Sequence, residues 1–142
     1  MRSIRGSLNQ FQPLIDVSIG RVGDIHFDRE TYLALIDTGA TRTCITGNII
    51  RRFDLQPVSK LLVASATSAP ERRRAYEVSL GLFCSSDVMH SETTSLYVLN
   101  QPFVAPIFID NNNFDVLIGM DLISQGRLVF EMGGDFSFKF DL

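Results

Sequence analysis

One stretch of this chain places a carboxylate directly after an apolar run, in the sequence Leu33-Ala34-Leu35-Ile36-Asp37-Thr38-Gly39-Ala40-Thr41. Aspartate is poorly suited to the interior of a strand, and a buried charge is costly unless it is paired or hydrogen-bonded. We therefore expect Asp37 to lie at the buried end of a strand, where Gly39 allows the chain to turn and another backbone to approach closely. A carboxylate in such a position is a candidate functional residue.

The same tripeptide also has an ordinary structural interpretation. Asp37 can hydrogen-bond its own backbone in a turn, with Gly39 supplying a positive φ angle. A second feature favours the functional hypothesis. About eighty residues downstream, an apolar strand ends at Gly119 and a short helical segment follows. We interpret Asp121, near the start of that helix, as structural because its charge suits the helix dipole, and we expect Gly126 to end the helix.

The composition excludes several functional classes. The 142 residues are 45% hydrophobic and 20% charged, as in a soluble globular protein, and a net charge of −3 gives no electrostatic reason to expect a nucleic acid partner. No apolar run approaches the length of a membrane span, and no hydrophobic segment follows the two N-terminal arginines. We expect a cytosolic protein, unless the chain is cut from a larger precursor. The two cysteines and two histidines share no ligand spacing, so we expect no metal and no cofactor.

Short strand-like runs joined by tight turns predict an all-β fold. Residues 1–12 are polar, and we expect a loose arm there, followed by a single domain over residues 13–142. A brief helical turn is predicted to begin at Thr46. Several of the runs alternate apolar and polar residues, as half-buried strands do; the predicted strands and hairpin segments are 13–20, 25–27, 31–36, 43–45, 60–66, 75–84, 95–99, 114–119, 128–132 and 135–142.

Between the runs 60–66 and 75–84 lies a polar, turn-prone segment, 67–74, that contains three consecutive arginines. We predict a long hairpin with this segment as its exposed tip. The arginines are explained by a solvated hairpin end, and the alternative is a mobile cover over a cleft. On that alternative, the candidate residues that contact substrate are Ala69, Pro70, Arg72 and Arg74.

Two motifs of the chain resemble those of the retropepsin-like aspartic proteases. Leu35-Ile36-Asp37-Thr38-Gly39-Ala40 is similar to the catalytic strand and loop of that family, and Val116-Leu117-Ile118-Gly119 is similar to its apolar motif before a short C-terminal helix. The order and the spacing agree over residues 13–142, with the hairpin in the position of the flap. The resemblance implies a closed β-barrel with a flap hairpin and one short C-terminal helix.

The resemblance also implies a mechanism. Aspartic proteases use two carboxylates that share one proton, and this chain has a single Asp-Thr-Gly and no Asp-Ser-Gly. Two chains must then meet about a two-fold axis, so a homodimer with Asp37 of each chain as the catalytic residue is implied. Thr38, Gly39 and Ala40 would complete the active-site loop. Residues Leu117, Ile118 and Gly119 would support it from beneath.

One departure from the family pattern and one residue of the loop qualify these expectations. The flap segment 67–74 contains no glycine, whereas the flap tips of viral members are glycine-rich. Ala40 has no hydroxyl with which to hydrogen-bond the ionised dyad, so we expect activity to extend to weakly acidic or near-neutral pH. The leading hypothesis is an aspartic endopeptidase acting on peptides or proteins. The alternative is a non-catalytic, dimeric β-barrel that binds peptides or proteins and keeps a vestigial protease site.

Overall fold

The structure is a computed structural model, and it describes residues 1–24, 30–64, 69–86 and 94–141. These residues form mainly β-strands, which confirms the predicted all-β class. The helices are α1 (Gly47–Arg52) and α2 (Met120–Ile123), and both are short. The strands are β1 (Arg2–Ser7), β2 (Leu14–Gly20), β3 (Tyr32–Ile36), β4 (Cys44–Thr46), β5 (Ser59–Val63), β6 (Glu71–Ser86), β7 (Ser95–Val98), β8 (Phe103–Phe108), β9 (Val116–Ile118), β10 (Gly126–Phe130) and β11 (Asp135–Phe140).

Six strands pair in a ring. The order of neighbouring strands around the ring is β6, β2, β3, β9, β4 and β8, and β8 in turn pairs with β6. The pairs β3–β9 and β4–β8 are parallel, and the other pairs of the ring are antiparallel. β5 pairs with the first part of β6 to form a hairpin, which we call the flap hairpin, and the strands β10, β11 and β1 join β6 through β1.

The core follows the alternation of the longest strand. Along β6, the buried side chains Tyr76, Val78, Leu80 and Leu82 fall on one face, as their period of two predicts. On β11, phenylalanines at every second position are buried in the same way. Both patterns were visible in the sequence, because a half-buried strand must alternate to keep its apolar face inward.

The N-terminal segment differs from the prediction of a loose arm. Arg2–Ser7 forms β1, which pairs with β11 along its whole length, from Arg2 opposite Phe140 to Ser7 opposite Asp135. Ile4 is buried in the core. The physical reason is that the edge of β11 offers unpaired N–H and C=O groups, which a polar strand can satisfy as well as an apolar one. This long-range pairing is not visible in the local sequence.

Three further expectations have different outcomes. The prediction that arginines 72–74 lie at an exposed hairpin tip is wrong, because they lie within β6 and pair with β5. Gly126 does not end α2. The helix ends at Ile123, and Gly126 begins β10, where a side chain would meet the carbonyl oxygen of Lys139. The predicted strand over residues 25–27 lies outside the described residues.

Within the described part of the chain, no helix is both long and apolar enough to cross a membrane.

Candidate active site

The Asp37 loop begins where β3 ends beside β9. The two strands run parallel, with Ile36 opposite Ile118, and the N–H of Asp37 donates a hydrogen bond to the carbonyl of Ile118 at 2.9 Å. The end of β9 therefore fixes the backbone of Asp37. The strand-like runs that precede Asp37 and Gly119 are neighbours in space although about eighty residues separate them.

The carboxylate of Asp37 is held by its own loop. Its Oδ1 accepts a hydrogen bond from the N–H of Gly39 at 2.8 Å, and the N–H of Ala40 donates to the carbonyl of Asp37 at 3.2 Å. Asp37 is half-buried, whereas Thr38 and Gly39 are exposed. The residue is thus less buried than expected, because the loop leaves the sheet at the surface of the chain as soon as β3 ends.

The start of α2 packs directly against the far end of this loop. The N–H of Met120 donates to the carbonyl of Ala40 at 2.8 Å, and the N–H of Asp121 donates to the carbonyl of Thr41 at 3.2 Å. A Cβ atom on Gly119 would lie 2.6 Å from the backbone of Arg42. Only a glycine leaves space for this approach, so residue 119 determines how closely the loop and the helix can meet.

Asp121 ties the same two segments together through its side chain. Its carboxylate accepts hydrogen bonds from the N–H of Thr43 at 2.9 Å and from the Thr43 hydroxyl at 2.7 Å. The same hydroxyl accepts the N–H of Gly119 at 3.2 Å, and Thr43 is almost completely buried. The geometry agrees with the structural interpretation of Asp121. It also identifies Thr43, whose role has no local sequence signature.

A cavity of about 310 Å³ opens beside Asp37. Its walls come from three parts of the fold: the active-site loop and the strands next to it, the flap hairpin, and the end of β8. In that order, the lining residues are Asp37, Gly39, Ala40, Thr41, Arg42, Cys44 and Leu117; Val63, Ala64 and Arg73; and Phe108 and Ile109.

A family model described as aspartyl protease matches residues 20–122. The match includes the Asp37 loop, the flap hairpin and Gly119, and it spans well over half of the chain. This chain belongs to the aspartyl protease family. The sequence-based identification with the retropepsin-like group is confirmed at the level of family and fold.

The fold of this aspartyl protease is similar to that of a solved structure, a retropepsin-like aspartic protease from Rickettsia conorii. The TM-score is 0.55, and the match covers 97% of this chain and 91% of the other. The two sequences are 10% identical, so the likeness concerns the fold alone. No curated protein matches this chain.

The flap hairpin of this aspartyl protease contributes a different arginine from those expected. Arg73 lines the cavity and is half-buried, whereas Arg72 and Arg74 are exposed on the other face of β6. Ala69 and Pro70 are also exposed, and they do not line the cavity that the described residues form. Successive side chains of a strand point to opposite faces, so this alternation determines which arginine faces the cavity. The sequence-based prediction of a turn over this segment did not take the alternation into account.

Cys44 forms part of the cavity wall close to Asp37. Burial raises the pKa of the Cys44 thiol to about 11, although the positive charge of Arg73 acts in the opposite direction. The thiol donates a hydrogen bond to the carbonyl of Arg42 at 3.4 Å. At neutral pH the group is therefore an uncharged thiol, and we assign it a packing role at the edge of the site.

Proposed function

We propose that this aspartyl protease is a homodimeric endopeptidase in which Asp37 of each chain supplies one carboxylate of a catalytic dyad. The chemistry needs two carboxylates close enough to share a proton. The sequence contains one Asp-Thr-Gly and no second copy of it or of Asp-Ser-Gly. A second copy of the chain is the simplest source of the other carboxylate.

The observation that carries the proposal is the setting of the Asp37 carboxylate. One oxygen, Oδ1, accepts the N–H of Gly39, while Oδ2 meets no hydrogen-bond donor among the described residues. The residue borders the cavity, and Thr38 and Gly39 beside it are exposed. The carboxylate is thus oriented on one side and open on the other, as a group that must meet a water molecule, a substrate and a second carboxylate has to be.

In the proposed reaction, the two Asp37 side chains carry one proton between them. The ionised carboxylate removes a proton from a water molecule, which attacks the carbonyl carbon of the peptide bond. The protonated carboxyl donates a hydrogen bond to the carbonyl oxygen, where negative charge develops. Collapse of the tetrahedral intermediate breaks the C–N bond, and the leaving nitrogen takes up a proton from the dyad.

The neighbouring residues have supporting roles in this proposal. Thr38 would lock the loops of the two chains together through hydrogen bonds, and Gly39 would leave room for the substrate backbone. Ala40 would border the substrate, and its side chain has no hydroxyl that could hydrogen-bond the dyad. Leu117, Ile118 and Gly119 would support the loop from beneath. In favour of this role, the carbonyl of Ile118 accepts the N–H of Asp37, and Gly119 lies against the backbone of Arg42.

Digestion of an unstructured peptide pool between about pH 3 and pH 7 tests the proposal, with the Asp37→Asn variant as control. We expect cleavage by the wild-type protein and a loss of at least about a thousandfold in the variant, because an amide cannot act as the base. Cleavage that survives the substitution would exclude Asp37 as the catalytic group. Binding of peptides without cleavage by either protein would favour the alternative, a peptide-binding module with a vestigial site.

A further inference from the structure

The flap hairpin has two chemically different faces. Cross-strand neighbours lie on the same side of a hairpin, and Leu61 lies opposite Arg73 in the register of β5 and β6. Both of these residues are half-buried. The flanking pairs, Leu62 with Arg72 and Lys60 with Arg74, are exposed on the other side. Arg73 is therefore the one arginine of this run of three that the hairpin directs towards the cavity.

The guanidinium of Arg73 is fixed in place by three contacts. Its Nε donates to Glu71 Oε1 at 2.7 Å, and its Nη1 donates to the carbonyl of Ile107 at 3.3 Å. The group also lies 5.9 Å from the centre of the Phe108 ring, within the range of a cation–π interaction. The side chain of Arg73 is 21% exposed, compared with 63% for Glu71, so the cation is largely withdrawn from solvent while its counter-ion is not.

This arrangement leaves much of the guanidinium available. An arginine has five N–H donors, and Arg73 uses two of them, leaving three without an acceptor among the described residues. Much of the surrounding wall is apolar, with Ala40, Val63 and Ala64 in the lining. A fixed and partly desolvated guanidinium beside apolar walls binds a carboxylate strongly, because the hydrogen bonds are charge-assisted and can be bidentate.

We propose that Arg73 is a specificity-determining residue that selects substrates with an acidic side chain, aspartate or glutamate, for the cavity beside Asp37. The inference rests on the proposed function in that it takes this cavity to be a substrate side-chain subsite. Arg42 also lines the cavity and adds a second positive charge, while a dyad with one shared proton carries a single negative charge. The exposed carboxylate of Glu71 occupies only the Nε of Arg73, so three N–H donors of the guanidinium remain for an anionic side chain.

Matched peptides test this selection. Each pair differs only by glutamate or glutamine at one position near the scissile bond, and kcat/KM is measured at about pH 6, where the glutamate is ionised. At one position we expect glutamate to be preferred by roughly tenfold or more, which is the range of a charge-assisted hydrogen bond. In Arg73→Met the ratio should fall to about one.

Three further variants separate selection from a structural role of Arg73. Arg72→Met and Arg74→Met remove equal charges from the outer face and should leave the ratio unchanged. Arg73→Lys keeps the charge but not the bidentate geometry, so it should give an intermediate ratio even if Arg73→Met folds poorly. A wild-type ratio near one at every position, or an unchanged ratio in both Arg73 variants, would overturn the inference.

Failure of the proposed function can be distinguished from failure of this inference. If the wild-type protein cleaves no peptide, binding of the same pairs to the Asp37→Asn variant is measured by fluorescence anisotropy. Tighter binding of the glutamate peptides that disappears with Arg73→Met would support the selection without hydrolysis. Equal binding of both members of every pair would overturn the selection. Cleavage that depends on Asp37 but is equally fast for the glutamate and glutamine peptides would support the proposed protease function and exclude the selective role of Arg73.

Discussion

At the scale of single residues, three titratable side chains in and around the site have different surroundings. Asp37 is half-buried, and one of its carboxylate oxygens meets no hydrogen-bond donor in the described part of the chain, whereas the carboxylate of Asp121 is hydrogen-bonded to Thr43. Cys44 is a buried thiol in the wall of the cavity that Asp37 also lines. The two aspartates have the same chemistry, but the hydrogen-bond donors around each one make Asp37 available for reaction and Asp121 a structural tie.

The reactivity of Cys44 gives a prediction with a defined pH dependence. With the pKa raised to about 11, roughly one thiol in a hundred is ionised at pH 9, compared with about half for an unperturbed cysteine. We expect alkylation of the folded protein by iodoacetamide to be at least about fiftyfold slower at pH 9 than alkylation in urea, and to accelerate as the pH approaches 11.

The measurement is made on the Cys84→Ser variant, so that Cys44 is the only cysteine. Mass spectrometry follows the modified fraction over time in the folded and denatured samples. Rapid labelling of the folded protein at neutral pH would contradict the assignment of Cys44 as a packed, neutral thiol.

At the scale of elements, the Asp37 loop is held by contacts with the junction of β9 and α2. We call these contacts the clamp. Gly119 permits backbone contact with Arg42, and Asp121 bonds Thr43 across the same junction. The loop is thus fixed at both ends: Asp37 is bonded to Ile118, and Thr43 is bonded to the helix. A substitution in α2 should therefore affect the candidate active site by shifting the backbone of the Asp37 loop rather than by direct contact.

Replacement of Asp121 by alanine tests this clamp. The change leaves the buried N–H and hydroxyl of Thr43 without their acceptor, so we expect a loss of roughly 2–3 kcal/mol in the free energy of unfolding, measured in urea. Asp141→Ala is the matched control, because Asp141 is exposed near the end of the described chain. An equal loss in both variants would show that Asp121 has no specific role.

The local sequence predicts much of this element structure and misses what depends on distant partners. The apolar runs that end at Ile36 and Ile118 were identifiable as strands, and so was the alternation of β6 and β11. The strand over 2–7 was not, because its stability comes from pairing with β11 rather than from its own apolar residues. Arg73 was missed because β6 continues through a polar segment that local turn propensity would end.

At the scale of the whole molecule, one chain contains a single Asp-Thr-Gly, and in our proposal it supplies one half of the catalytic dyad. The ring of strands and the flap hairpin place a single Asp37 beside one cavity. The fold and the family are those of retropepsin-like proteases, and a protease-type function follows from that membership. Thr38 and Gly39 are exposed in the single chain, and in the proposed dimer they would meet their copies.

The most direct test of the account mixes wild-type and Asp37→Asn chains, refolded together in equal amounts at constant total concentration. Random pairing leaves about a quarter of the dimers with two carboxylates, and a dimer with one carboxylate lacks the dyad. We therefore predict that peptide cleavage falls to about a quarter of that of the all-wild-type sample. A fall to only about one half, as expected when each chain acts independently, would contradict an active site shared between two copies of Asp37.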